Sequence, residues 1–485
     1  MTAAIFTLAP AVALGWIIVH VLLPRGESSP GWPQWVLEIS LGAGLGGGIT
    51  SCLFFLVLSA GVSKRWPFLA SELICEAALA IGAAFVLIRR RRSGVNESPE
   101  PESQLRNPAV QSASLWIWLL RAAAVIALGI FALNCGVQDS ANPSGEWDAF
   151  TIWNLRARFL AGGAGSWQYA FTETASGAGH PTYPMLTPAF VARTWTIAGN
   201  NTQDGALAVD LLFTFATLGL LCGAVGIAVN ETAGLLAMLV LLVSQNFVLQ
   251  AVSQYADIPL AFYVLASIAL LAIASTRRWP APVLFLAGLM AGFAPWTKNE
   301  GQPFLLLALG VAIWRAGFGS AKWALLGALP GVAVTAIFKL FFAKGAENLF
   351  PSTIAESVSK ILEPARWGQI LASFAARIGE IGPVWAHPLV LLVILAFTVG
   401  FVSNAPPRLW IAVPLAGMLA ADFAVYLLTT SDLAWHLSTS NARLITQVWP
   451  GILFAFFLML NPPRWPARAV VPERKHETSG RRKKR

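Results

Sequence analysis

Long apolar runs separated by short polar turns occupy most of the chain. A helix that crosses a bilayer needs about 20 mostly apolar residues. Runs of that kind fall at roughly 3–23, 36–60, 67–88, 115–136, 205–227, 231–252, 258–276, 281–297, 302–315, 321–343, 387–404, 407–429 and 444–461. The pattern predicts an all-α, polytopic transmembrane protein of about 13 spans with external amphipathic helices. The first run has neither a basic leader nor a small-residue cleavage site, which marks it as a retained span.

One further apolar stretch, 183–199, tests this scheme. Counted as a span, it reverses the side of every basic loop after it. It also carries Pro184, Pro188 and Arg193, which suit a helix lying in or dipping into an interface. It is therefore expected within one large external loop, 137–204. The turn at Asp257, the turn Lys298-Asn299-Glu300 and the loops 344–386 and 430–443 then share that face, as a site built between helices requires.

Composition agrees with the pattern. Hydrophobic residues make up 56% of the chain and charged residues 12%, about half the charge of a soluble protein. Several of the 20 Trp flank apolar runs, as in an interfacial belt. The net charge of +9 comes largely from Arg89–Arg92 after one run and the basic cluster 481–485. With Arg277, Arg278, Arg315, Lys322 and Arg408, these read as cytoplasmic anchors rather than nucleic-acid contacts. Lys64 and Arg65 fall on the other side, a mild violation. Cys52, Cys75, Cys135 and Cys222 show no disulfide or zinc spacing.

Polar residues near the outer ends carry the candidate chemistry. Glu146 and Asp148, either side of Trp147, can supply a general base and its partner, or hold a cation; acids after a span are more often only solvated. Trp153, Asn154, Arg156 and Arg158 follow on a short amphipathic helix, where arginines pair with phosphate or anchor to headgroups. His180 and Tyr183 lie in a Pro-rich turn and are as readily structural. Asp257 begins a helix, a favourable place for any Asp. Lys298 and Glu300 put opposite charges between two apolar helices, where such residues tend to be functional. His436 and Arg443 precede the last span, and a cation there suits an anionic headgroup. Glu72, Glu76 and Arg121 are expected to pair with one another as packing between helices; Lys339 and Asp422 are similar but nearer the outer face. Asn200 and Asn230 fit the glycosylation pattern.

The order of these features resembles the GT-C superfamily of membrane glycosyltransferases, in the branch of protein mannosyltransferases and aminoarabinose transferases. An acidic motif follows a span, then come an amphipathic loop and a Pro-rich helix, a Tyr255-x-Asp257-x-Pro259 turn, and Arg443 before a span containing Pro450. The likeness covers roughly 115–461. It implies that Asp148, with Glu146 second, is the catalytic base, that Asp257 assists, and that Arg443 holds the phosphate of a polyprenyl-phosphate-linked sugar. Arg156, Arg158, His180, Tyr183, Lys298, Glu300 and His436 are candidates for substrate binding without a role carried over. Family members with adjacent acids differ from this chain, where Trp147 intervenes. The expected setting is a bacterial plasma (inner) membrane with the site facing outside. The acceptor is expected to be a lipid, glycan or protein, with no nucleic acid taking part; no cofactor is certain, and a divalent cation is left open.

Residues 1–88 are expected as a three-span accessory module, 89–114 as a cytoplasmic linker, 115–461 as the catalytic core and 462–485 as a basic cytoplasmic tail. A rival reading is a transporter or flippase of a lipid-linked or anionic solute, supported by intramembrane charges and many Gly. No two-fold internal repeat supports it. A non-catalytic assembly subunit leaves the clustered carboxylates unexplained.

Overall fold

The computed structural model describes residues 2–24, 31–62, 65–92, 115–162, 165, 167–172, 180–343, 350–403 and 406–463. Most of the expected linker and basic tail lie outside these residues. The described residues form helices, with one isolated bridge between Phe401 and Leu460. Among the described residues, nine helices are long and apolar enough to cross a membrane. The count is ten if Pro364–Gly379 and Val384–Val399, bent by 73°, form one broken span.

The first helices are α1 (Thr2–Leu22), α2 (Trp32–Ser59), α3 (Arg65–Arg92) and α4 (Leu115–Ala141). After a polar loop come α5 (Asn154–Gly162), α6 (Leu186–Ala198), α7 (Gln203–Ala228), α8 (Glu231–Leu242), α9 (Gln245–Gln250), α10 (Asp257–Thr276) and α11 (Ala281–Thr297). The rest are α12 (Gly301–Ile337), α13 (Ile354–Ile361), α14 (Pro364–Gly379), α15 (Pro388–Val399), α16 (Ala412–Leu428) and α17 (Leu433–Met459). Helices α8 and α15, at 12 residues each, span only about 18 Å, short of the hydrocarbon core.

The expected spans 302–315 and 321–343 run on through α12, which is broken at Gly317 with φ 71° and ψ 155°. Only glycine adopts that backbone readily. The chain doubles back there: Lys339 Nζ, beyond the end of α12, donates to Asn299 Oδ1 at its start over 2.8 Å.

The bundle has two distinct ends. At one, Arg277 donates to the Pro24 carbonyl, Asn230 to that of Pro463, and Arg121 pairs with Glu231. The Arg315 guanidinium lies 5.7 Å from the Trp410 ring at the same end. The opposite end holds the turns 142–148, 251–256 and 298–300, with α13 and α14 against α16 and α17. Arg366 donates there to the carbonyls of Tyr426 and Leu427.

Between lipid-like surfaces, helices gain little from apolar burial and rely on close backbone approach. Helix α2 achieves this with its glycine run. A Cβ at Gly46 would sit 1.8 Å from the Ala11 carbonyl oxygen of α1, and one at Gly48 2.5 Å from the Phe293 ring of α11. Tyr263 of α10 also donates to the Gly44 carbonyl. Residues of the N-terminal helices, expected as an accessory module, share one hydrophobic core with the later helices.

Two expectations are corrected. The stretch around α6 is no surface helix. At 13 residues it is too short to span, and Leu186–Trp195 are all buried, because α6 fills the space between α2, α5 and α7. Its Arg193, 1% exposed, hydrogen-bonds Glu72 Oε1, lies 3.5 Å from Glu76 Oε1 and donates to the Thr7 carbonyl. Glu72 and Glu76 therefore pair with Arg193, while Arg121 pairs with Glu231. Arg65, which broke the charge rule, donates to the Ile197 carbonyl near the end of α6, a favourable place for a cation. Lys64 lies outside the described residues.

Candidate functional site

Asp257 is the fixed centre of the charged end. It opens α10 and has no exposed side-chain surface. Buried carboxylates persist only when paired and hydrogen-bonded, and Asp257 is saturated. Oδ1 accepts from Lys298 Nζ at 2.9 Å and Gln447 Nε2 at 2.6 Å, and Oδ2 from Arg443 Nε at 3.1 Å. Arg443 and Gln447 are one turn apart on α17, so one helix face delivers both. Lys298 is placed by the end of α11, where the backbone turns extended before α12 begins. It also meets Glu300 Oε1 at 2.8 Å. Burial alone would lower the Lys298 ammonium; Asp257 and then Glu300 outweigh it and raise it above its ordinary value.

Arg443 links this buried centre to Asp148. Its second terminal nitrogen donates to Asp148 Oδ2 at 2.5 Å, and the Asp148 side chain is 24% exposed. The guanidinium lies over the Tyr255 ring at 4.4 Å, within cation–π range. Tyr255 hydroxyl in turn accepts from the Asp148 backbone N–H at 3.2 Å. Burial pushes that phenol up to about 12, so it stays protonated as a neutral prop. The directly paired groups are three carboxylates and two cations, leaving one negative charge in excess.

The loop that carries Asp148 is held by Gln254, whose φ of 59° is left-handed. Its backbone N–H donates to Asp210 of α7, and its side chain accepts from Asn154 at 2.6 Å and donates to the Pro143 carbonyl. The backbone N–H of Glu146 donates to the Ser253 carbonyl. A strained turn before α10 thereby fixes the strap 143–154 on which Asp148 sits.

The fold thus brings together Asp148, Asp257, Lys298, Glu300 and Arg443. Other sequence candidates fall elsewhere. Glu146 is exposed and accepts from Asn142 at 3.0 Å. Arg156, expected to face phosphate, is buried and donates to the carbonyls of His180 and Tyr183; it braces the loop. Arg158 is exposed and lines a cavity of about 570 Å³ with Asn142, Ser144, Gln203 and Trp195, none of them in the charged cluster. His180 stacks on Tyr183 at 4.3 Å, and Tyr183 on Trp153 at 5.7 Å. His436 Nδ1 is 3.0 Å from Thr429 Oγ1. Lys339 holds Asn299 and the Thr182 carbonyl. Gln447 and Gln254 were not anticipated, and Tyr255 entered only as part of the turn motif, without a role. The spacing of Gln447 four residues after Arg443 was the available signal for the first.

Among the described residues no group of three or more His, Cys, Asp or Glu is arranged to hold a metal ion. Comparison with family models, curated proteins and solved structures finds no match for the chain.

Proposed function

We propose that the protein is a membrane glycosyltransferase that moves a sugar from a polyprenyl-phosphate-linked donor to an acceptor hydroxyl. The observation that carries this reading is Arg443, which joins a partly exposed carboxylate, Asp148, to a fully buried one, Asp257, at one end of an apolar helix bundle. Asp148 is the reachable base, and its Oδ1 accepts no hydrogen bond from the described residues. Asp257 is the anchor that orients the cations. The resemblance to GT-C enzymes stated above gives the same two carboxylates and the same arginine.

In the reaction, the acceptor oxygen bonds to the anomeric carbon as Asp148 takes the hydroxyl proton. The bond from that carbon to the phosphate oxygen breaks, and the electron pair leaves with the polyprenyl phosphate. Arg443 stabilises that leaving charge, supported by Lys298. The polyprenyl tail needs lipid beside the site, and the bundle's apolar flanks face that lipid. Basic Arg277, Arg278 and Arg315 at the opposite end favour an outward-facing site under the positive-inside rule, in the plasma membrane of a bacterium. About 13 crossings, with α13 and α14 as outer amphipathic helices, complete this reading.

Asp148→Asn in purified membranes tests the proposal. Transfer from a polyprenyl-phosphate sugar should fall by about 10²- to 10⁴-fold with the protein still monodisperse. A normal rate in the variant sinks the assignment. The transporter reading draws on one specific observation, the buried Asp422, whose Oδ2 has no hydrogen-bond partner among the described residues. It predicts that Asp422→Asn, rather than Asp148→Asn, abolishes activity, with solute moved but not chemically changed.

A further inference from the structure

We infer that the Arg443–Asp148 ion pair is a resting lock that the donor's phosphate opens, so that the base becomes available only after the donor has bound. The inference rests on the glycosyl-transfer reading and concerns the order of events at that same site.

The two partners of Arg443 are unequal. Asp257 is wholly buried and is also held by Lys298 and Gln447, so it stays. Asp148 is partly exposed, lies at the start of the helical turn before α5, and touches only Arg443 through its carboxylate among the described residues. It is the replaceable partner. The guanidinium itself does not need to move, since Nε and one terminal nitrogen are fixed on Asp257 Oδ2 at 3.1 and 3.0 Å and its face rests on Tyr255.

Charge then dictates the exchange. With Asp148 in place, the paired groups carry one excess negative charge, and an approaching phosphodiester meets repulsion as well as attraction. When a phosphate oxygen takes the place of Asp148 Oδ2 on Arg443, the number of anionic contacts to the guanidinium is unchanged. The carboxylate is released beside the phosphate's sugar, where a hydroxyl can reach it. Asp148 therefore serves first as a stand-in for the donor's charge and afterwards as the base.

The test uses full-length protein in phosphatidylcholine nanodiscs and farnesyl phosphate as the probe, with binding measured for wild type and for Asp148→Asn, Asp148→Ala and Glu146→Gln. Removing the competing carboxylate should tighten binding roughly tenfold or more in both Asp148 variants. Glu146→Gln, which removes an exposed charge that does not touch Arg443, should bind like wild type. Binding that is unchanged or weaker in both Asp148 variants overturns the lock. An equal gain in Glu146→Gln overturns it too, because the gain is then general electrostatics. A wild type that binds only when Mg²⁺ is added, with no gain in either variant, also overturns it. If no form binds farnesyl phosphate, the glycosyl-transfer reading itself falls.

Discussion

Lys298 Nζ lies 2.9 Å from Asp257 Oδ1 at a point where the carboxylate has no exposed surface and the lysine almost none. Breaking a buried pair by removing one partner costs about 3–5 kcal/mol, because the other charge is stranded. The two partners are not equivalent here. Asp257→Ala removes the buried acceptor shared by Lys298 and Arg443 and leaves each with one partly exposed carboxylate, Glu300 and Asp148, while Lys298→Met leaves Asp257 with Arg443 and Gln447. Asp257→Ala should therefore lower the unfolding temperature in detergent clearly more than Lys298→Met. Equal losses would show that Asp257 is not the centre of the network.

The buried Arg193 faces two acids but hydrogen-bonds one of them well. Glu76 Oε1 has no hydrogen-bond partner among the described residues. Replacing Glu72 by Gln should cost about 3 kcal/mol, whereas Glu76→Gln removes an excess charge and should be neutral or stabilising. Unfolding midpoints of the two variants decide the matter, and a larger loss for Glu76→Gln contradicts the assignment.

The sidedness of the bundle is open to cysteine labelling. Cys52, Cys135 and Cys222 are buried and Cys75 lies within a membrane-length helix, so the natural thiols give little background. Ser438→Cys, at the charged end, should react with an impermeant maleimide in intact cells. Arg278→Cys, at the opposite end, should react only after lysis. The reverse pattern would place the charged cluster in the cytoplasm.

The helical class and the grouping of polar turns were legible because both follow from apolar length and from the parity of basic loops. Those properties are local to the chain. Partner choice was not legible. Nothing in the positions of Glu72, Glu76, Arg121, Arg193 and Glu231 says which cation meets which acid until α6 is folded inward. The inward fold depends on room beside α2, where Gly47 lies under Phe190. Arg156 misled for a related reason: a cation on an amphipathic helix reads alike whether it faces phosphate or the carbonyls of its own loop. The roles proposed for Asp148 and Arg443 rest on resemblance and geometry together, and Asp257 emerges as an anchor of the charged cluster because only the fold shows how completely it is enclosed.

The glycine run of α2 has a consequence for how the protein is made. Helix α2 precedes α6, α7, α10 and α11 in the chain and becomes a central post, with those helices and α1 gathered around it. A chain shortened to begin at Leu115 would keep every residue of the charged cluster, yet Phe190, Phe213, Phe262 and Phe293 would close on an empty slot in place of Gly44, Gly47 and Gly48. Helices α1 to α3 are in this sense a template for those that follow them, and supplying residues 2–92 as a separate polypeptide should restore assembly of such a shortened chain.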